Sequence, residues 1–233
     1  MKENNITILS TGPLDKEIIS KSFQLDILID VVPFIETQPV EPALLKKIIG
    51  PLAQQHALVV VSSGNAVEAM AAAMEESPQW TFYCIGKSTA EKIKKHFPAS
   101  TIAATTNYAK ELVEEIAKSG VNQEMIFFCG DLRRDELPDQ LRARGIALKE
   151  VVVYETRLTP QKLDKQYEGI LFFSPSAVKS YFSLNTAGEE TVLFAIGTTT
   201  AESIQSYTNN HTEIAGTPDK AALVDKAIKY FKQ

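Results

Sequence analysis

Serine, threonine and arginine recur in this chain where apolar runs end and helical patterns begin. Such junctions can hold anions. Ser63 and Asn65 follow the run that ends at Val61, and Ser174 and Ser176 follow Phe172-Phe173. Ser88-Thr89 and Thr199-Thr200 follow Ile85-Gly86 and Ile196-Gly197. The first amides of a helix lack intrahelical partners and carry the positive end of its dipole, so a carboxylate beside them is stabilised. The same residues also have a purely structural use. Ser88-Thr89-Ala90-Glu91, Thr199-Thr200-Ala201-Glu202 and Asn65-Ala66-Val67-Glu68 have the form of capping boxes, and each cap stabilises its helix by about 1 kcal/mol without any ligand. Ser88, Thr199 and Asn65 are therefore expected first as caps, Thr199 keeping a place among the binding candidates. Thr89 and Thr200 follow those caps and are not needed for them, which leaves them for ligand contact.

A third junction is Gly130-Asp131-Leu132-Arg133-Arg134-Asp135-Glu136-Leu137. Arginine can grip a carboxylate through two parallel hydrogen bonds, so Arg134 is a binding candidate. On charge pattern alone the arginines form a solvated pair, or Arg134 bonds Asp131 or Asp135. Arg142 and Arg144 suit the end of the following helix. Tyr154 closes the run Val151-Val152-Val153, and its hydroxyl can act as a donor or acid; a half-buried aromatic whose oxygen reaches water is the plainer alternative. Gly86-Lys87-Ser88 imitates the end of a phosphate loop, but Thr81 stands where the first glycine belongs. No nucleophile–base pair, carboxylate dyad or metal box is visible. Any chemistry here rests on positioning and electrostatics.

These junctions need elements to carry them. Short runs at Ile6–Ser10, Ile27–Val32, Leu58–Ser62, Thr81–Ile85, Thr101–Ala104, Met125–Cys129, Ala147–Tyr154, Ile170–Phe173, Val192–Ile196 and Glu213–Ala215 read as strands. Helical patterns alternate with them, including Ala66–Met74, Thr89–Phe97, Ala177–Leu184 and Thr200–Tyr207. Parallel strands need such crossovers, so the expected class is α/β with parallel sheets. The chain also repeats itself. Val61-Ser62-Ser63-Gly64-Asn65-Ala66-Val67 and Phe172-Phe173-Ser174-Pro175-Ser176-Ala177-Val178 match at an offset of 111 residues, as do Ile85-Gly86-Lys87-Ser88-Thr89-Ala90-Glu91 and Ile196-Gly197-Thr198-Thr199-Thr200-Ala201-Glu202. Gly12-Pro13-Leu14 weakly matches Gly130-Asp131-Leu132, with Phe34 roughly meeting Tyr154. Two copies of one α/β unit are expected, with polar linkers at about 35–39 and 155–159. Matched turns facing each other would form a polar cleft suited to an anionic ligand.

Composition excludes several classes. Lys and Arg number 24 against 29 Asp and Glu, and 44% of the 233 residues are hydrophobic. That is too apolar for a disordered chain. The pI near 5.4 argues against general nucleic-acid binding. The longest apolar run is the six residues Ala69 to Met74, far short of the roughly 20 that cross a membrane. Met1-Lys2-Glu3-Asn4-Asn5 shows no secretory pattern. Cys84 and Cys129 lie in apolar runs and read as buried thiols of a reducing cytosol. His56, His96 and His211 share no metal-ligand spacing.

The duplicated Ser-x-x-Ala-Val and Ile-Gly-x-x-Thr-Ala motifs, Gly130 to Pro138, Leu141-Arg142-Ala143-Arg144-Gly145 and Val151 to Thr156 together resemble the uroporphyrinogen-III synthase family, from Ile8 to Phe231. The resemblance implies two similar parallel-sheet α/β domains joined by a two-strand linker, residues 1–35 and 157–233 forming one and 38–154 the other. It implies a cytoplasmic, monomeric lyase that needs no cofactor and no metal. Such an enzyme closes hydroxymethylbilane, a linear tetrapyrrole with eight carboxylates, into uroporphyrinogen III, losing water and inverting ring D. Tyr154 would assist loss of the hydroxyl. Ser63, Thr89, Ser174 and Thr200 would line the cleft, with Arg134 matching a basic residue after the glycine turn. No nucleic-acid or membrane partner is implied, and a transient contact with the preceding pathway enzyme is conceivable. Gly64 stands where proline is common in the first copy. The alternative is a non-enzymatic two-domain binding or sensory protein for an anionic metabolite.

Overall fold

A computed structural model describes residues 6–232. The chain divides into two compact units, Met1–Glu36 with Arg157–Gln233, and Thr37–Thr156. Each is built on parallel strands with helices on both faces, the second with an antiparallel edge strand, and each is described in turn.

In the first unit the strands β1 (Ile6–Ser10), β2 (Ile27–Val31), β9 (Gly169–Phe172), β10 (Val192–Ala195) and β11 (Thr212–Ile214) form a sheet in the order β11-β10-β9-β1-β2. Every pairing is parallel. The central strands β9 and β10, Gly-Ile-Leu-Phe and Val-Leu-Phe-Ala, are buried at every position. An apolar run without alternation is what a strand covered on both faces requires. Their side chains alternate between two cores. Ile170, Phe172 and Leu193 meet α7 (Pro175–Phe182) and α8 (Thr198–Gln205) through Val178 and Ile204. Leu171 and Phe194 meet α9 (Lys220–Phe231) through Leu223 and Val224, and Ile18 of α1 (Lys16–Phe23) packs against that core.

In the second unit β3 (Ile35–Pro39), β4 (Leu58–Val61), β5 (Thr81–Ile85), β6 (Thr101–Thr106), β7 (Met125–Gly130) and β8 (Leu148–Leu158) take the order β3-β8-β7-β4-β5-β6. Val59 and Val61 of β4 face α2 (Pro42–Ala53), α3 (Gly64–Ala73) and α4 (Lys87–His96). Val60 faces the other way, onto α5 (Ala109–Lys118) and α6 (Glu136–Ala143). Trp80 anchors the first face. It is 1% exposed, its ring lies 5.6 Å from that of Phe128, and its indole N–H donates to the carbonyls of Leu52 and Gln55, 3.2 Å each. The end of α2 is tied down in this way.

The two orders are related. From the neighbours β4 and β7, the chain runs outward through β5 and β6 on one side and through β8 on the other. From β9 and β1 it runs outward through β10 and β11 on one side and β2 on the other. So β9-β10-β11 corresponds to β4-β5-β6, and β1-β2 to β7-β8, but β1-β2 comes first in the chain. The second copy is a circular permutation of the first.

The segment at 35–39, whose polarity suggests a linker, is a strand beside β8, and β8 itself runs on to Leu158 rather than ending at Tyr154. An edge strand needs only one hydrogen-bonding neighbour and little apolar burial, so Glu36, Thr37 and Gln38 are tolerated; Pro39 falls at its last residue, where no ladder bond is lost. No helix among the described residues is long and apolar enough to cross a membrane. Replacing Trp80 by alanine empties a buried site of the second unit. The expected loss is about 3–5 kcal/mol, measured by denaturant unfolding followed by circular dichroism.

Candidate active site

Ligands of open parallel sheets collect beyond the carboxyl ends of the strands, where two neighbours send their chains in opposite directions. In the second unit that point lies between β4 and β7, with Val61 opposite Phe128. The residues that follow are Ser63 and Gly130. A register shift between Cys129 and Gly130 brings Tyr154 opposite Gly130. Bulges commonly re-aim a side chain in this way. Tyr154 then packs against the same core as Val151 and Val153, and Ser63 stands near enough to its hydroxyl to act on the phenol's pKa. Burial pushes the phenol above its ordinary pKa, and Ser63 draws it part of the way back. Tyr154 is thus a protonated phenol at neutral pH, set at the switch point.

Asp131 braces the turn beside it. Its Oδ1 accepts from the N–H of Leu132 at 2.9 Å and of Thr156 at 2.8 Å, and its own N–H donates to the Tyr154 carbonyl at 3.1 Å. Arg134 is exposed on the same turn. Its neighbour Arg133 pairs with Asp135 and Glu150, and Arg142 also grips Glu150. This network lashes the turn and α6 to β8. Arg144 donates to the Gln140 carbonyl at 3.4 Å, as a cation near a helix end should. Cys129, just before the turn, is buried, and burial lifts its thiol to about 11, the nearby Arg133 opposing.

The four rim helices begin two residues earlier than the sequence pattern suggests. Ser63 caps α3 by accepting from Asn65 N–H at 3.2 Å, and Ser174 caps α7 by accepting from Ala177 N–H at 3.2 Å. Asn65 and Ser176 therefore sit at the second helical position. Gly86 and Gly197 stand at the caps of α4 and α8, so Ser88 and Thr199 also sit at the second position and not at the cap. The capping roles expected of Ser88, Thr199 and Asn65 are thus corrected. Each strand passes straight into its helix, so the hydroxyls fall inside the first turn. Gly86 makes that passage at φ +89°, which strongly favours glycine. Thr89 and Thr200, at the third position, are 5% and 1% exposed. Ser176 and Thr199 are partly exposed.

In the first unit the switch point lies between β1 and β9. Thr11 Oγ1 donates to the Leu171 carbonyl at 2.7 Å and Ser10 Oγ to the Gly12 carbonyl at 2.7 Å. Lys220 reaches the same turn, donating to the Pro13 carbonyl at 2.6 Å and lying 5.2 Å from the centre of the Phe173 ring. The counterpart of Tyr154 here is Phe34, wholly buried and edge-on to Tyr181 at 5.3 Å. Only one of the two copies carries the phenol.

The sequence pattern did not single out Lys92. Its stem lies across Gly64, close enough that a Cβ at position 64 would be 2.9 Å from Cδ, and its amine pairs with Glu68 at 2.7 Å. The equivalents 111 residues on are Ser203 and Pro175. The two copies thus exchange bulk between paired positions: a lysine over glycine in one, a serine with proline in the other. That paired departure from the repeat is the signal by which Lys92 could have been found, and it accounts for glycine where proline is common.

The fold and rims define a class: a duplicated α/β chain of parallel strands with polar strand-to-helix turns at both switch points and a half-buried phenol at one of them. The family model described as uroporphyrinogen-III synthase HemD matches residues 24–225, so the chain belongs to the uroporphyrinogen-III synthase family, enzymes of porphyrin and haem biosynthesis. The fold is shared with the uroporphyrinogen-III synthetase of Helicobacter pylori, at 18% identity over 97% of this chain and 99% of that one, with a TM-score of 0.65. It is shared as well with a mutant uroporphyrinogen III synthase of the extremely thermophilic bacterium Thermus thermophilus, at 14% identity over 98% and 100%, with a TM-score of 0.64.

Two measurements test the site. Ser63→Ala and Ser174→Ala should each cost about 1 kcal/mol of stability through the lost cap, but only Ser63→Ala should raise the Tyr154 titration further, read from tyrosine ring-carbon resonances. For Cys129 the folded thiol is raised above its unfolded value. Its contribution to stability is full below about pH 8.5 and is lost as pH rises through about 11. Unfolding free energies measured across that window should fall less steeply in Cys129→Ala.

Proposed function

We propose that Tyr154 is the proton donor of a water-eliminating cyclisation, which makes the chain a lyase. Its substrate is hydroxymethylbilane and its product uroporphyrinogen III. The Tyr154 proton passes to the terminal hydroxyl as the carbon–oxygen bond breaks. Water leaves, and the pyrrole nitrogen lone pair stabilises the carbon left behind as an azafulvene cation. Ring D attacks through its substituted carbon to give a spiro intermediate, which rearranges to close the macrocycle with that ring inverted. The proton released on closure returns to the phenolate, so the enzyme ends as it began.

The single observation that carries this reading is a half-buried phenol of raised pKa, placed beside Ser63 at a switch point and packed over Gly130. An acid must keep its proton until the leaving group needs it, and burial ensures that at neutral pH. The remaining work is positional. Substrate carboxylates would meet the first amides of α3, α4, α7 and α8, the turns of Ser63 and Ser174, and the hydroxyls of Ser176 and Thr199. Thr89 and Thr200 stand just beneath, and Arg134 adds a cation. These local donors offset the repulsion between a polyanion and a chain of net charge −5. The chain is read as a cytoplasmic monomer.

The test supplies hydroxymethylbilane and separates the oxidised products by chromatography. An excess of isomer III supports the proposal, and isomer I alone refutes it in favour of a binding protein. Tyr154→Phe should slow turnover by about 100-fold or more while its unfolding midpoint barely moves. An unchanged rate would remove Tyr154 from the chemistry.

A further inference from the structure

We propose that Gly130 is the positioning residue of the Tyr154 phenol, the missing side chain at 130 being the seat in which the ring lies. A Cβ built on Gly130 would stand 2.5 Å from Tyr154 Cζ, 2.6 Å from Cε2 and 2.8 Å from the hydroxyl oxygen. Such separations are far inside van der Waals contact. The ring tip therefore fills the volume that any side chain at 130 would take. This role rests on the assignment of Tyr154 as proton donor, but the seat itself is a matter of geometry.

The backbone does not explain the glycine. The glycines in the left-handed region are Gly86, Gly120 and Gly145, and Gly130 is not among them. Alanine can adopt the conformation at 130, so the ring alone opposes a methyl there. The twin unit gives an independent comparison. Its matching glycine, Gly12, has Phe173 Cδ2 as the nearest obstacle, at 3.1 Å, and its matching aromatic, Phe34, is held in the core by Tyr181. In that copy a ring also lies against the glycine, but it is Phe173 at the end of β9, and its contact is looser than the 2.5 Å at Gly130; the matching aromatic Phe34 is not seated there. One further contact completes the seat around Tyr154: the Asp131 N–H holds the Tyr154 carbonyl at 3.1 Å. With the backbone pinned there, the ring lies in the space that only glycine leaves open at 130.

A methyl at 130 meets the far end of the ring. The least costly response is rotation of the ring away from Ser63, which displaces the phenol and leaves the fold. Gly130→Ala should therefore lower kcat for hydroxymethylbilane by about tenfold or more, with KM changed by less than about threefold. The Tyr154 ring-carbon resonance, assigned by its absence from Tyr154→Phe, should shift. In a Tyr154→Phe background the same methyl should cost less than about twofold, since there is no hydroxyl left to misplace. An unmoved resonance with wild-type kcat overturns the proposal. So does an equal loss in the Phe background, because the methyl would then act without the phenol. The resonance readout stands apart from catalysis: if Tyr154→Phe proves fully active, the proton-donor role falls while the seat is still tested. Should Gly130→Ala fail to fold, adding Tyr154→Ala empties the ring's volume and should restore folding; persistent misfolding overturns the seat as its cause.

Discussion

The parallel pairing of β4 with β7 is the constraint on which the rest depends. It sets Ser63 beside Gly130 although 67 residues of chain separate them. Both strands are almost wholly apolar, Leu-Val-Val-Val and Met-Ile-Phe-Phe-Cys-Gly, and both are buried on two faces. A slip in their register would exchange the side chains packed in the cores on the two faces, so close packing on both sides holds the register. The pairing of β7 with β8 then adds Tyr154, and a one-residue bulge turns it over the glycine. Three strand ends thus deliver one serine, one glycine and one tyrosine to a single point. No helix or loop has to be placed accurately on its own.

Duplication explains why the architecture is economical, and the differences between copies indicate where function lies. Both copies have a serine cap after the first strand and a glycine cap after the second. These shared features satisfy helix starts and would be kept for stability alone. The copies differ at Tyr154 against Phe34, at Lys92 against Ser203, and at Gly64 against Pro175. The first difference separates a half-buried phenol from a core aromatic, and it makes the two rims chemically unequal. The other two compensate each other sterically and leave a lysine stem beside the α3 start.

Much of this was legible in the order of residues, but unevenly. The parallel strands were visible because fully buried strands are apolar without interruption. The repeat was visible because its turns carry serine, threonine and glycine at one offset. Tyr154 stood out at the end of an apolar strand. In the residues alone 35–39 reads as a polar linker, and only the family resemblance implies a strand there, because an edge strand needs hydrogen bonds more than apolar side chains. The true caps were misread by two residues: the pattern Ser88-x-x-Glu91 is a sound local signal, yet Gly86 ends the strand and opens the helix at once. Local chemistry allowed both frames, and the sheet chose between them. Ser63 and Asn65 show the same ambiguity, since a serine and an asparagine two residues apart can each cap.

The amino-acid sequence by itself determined the α/β class, the twofold repetition and the residue types at each turn, because periodicity and repetition are properties of the linear chain. Only the tertiary structure decided that Ser63, Gly130 and Tyr154 share one point, that Arg133 and Arg142 brace the turn through Glu150, and that Gly130 is bare to make room for a ring. Contacts of that kind join strands far apart in the chain. They follow from which apolar strands pair and in what register, and no local pattern encodes that choice.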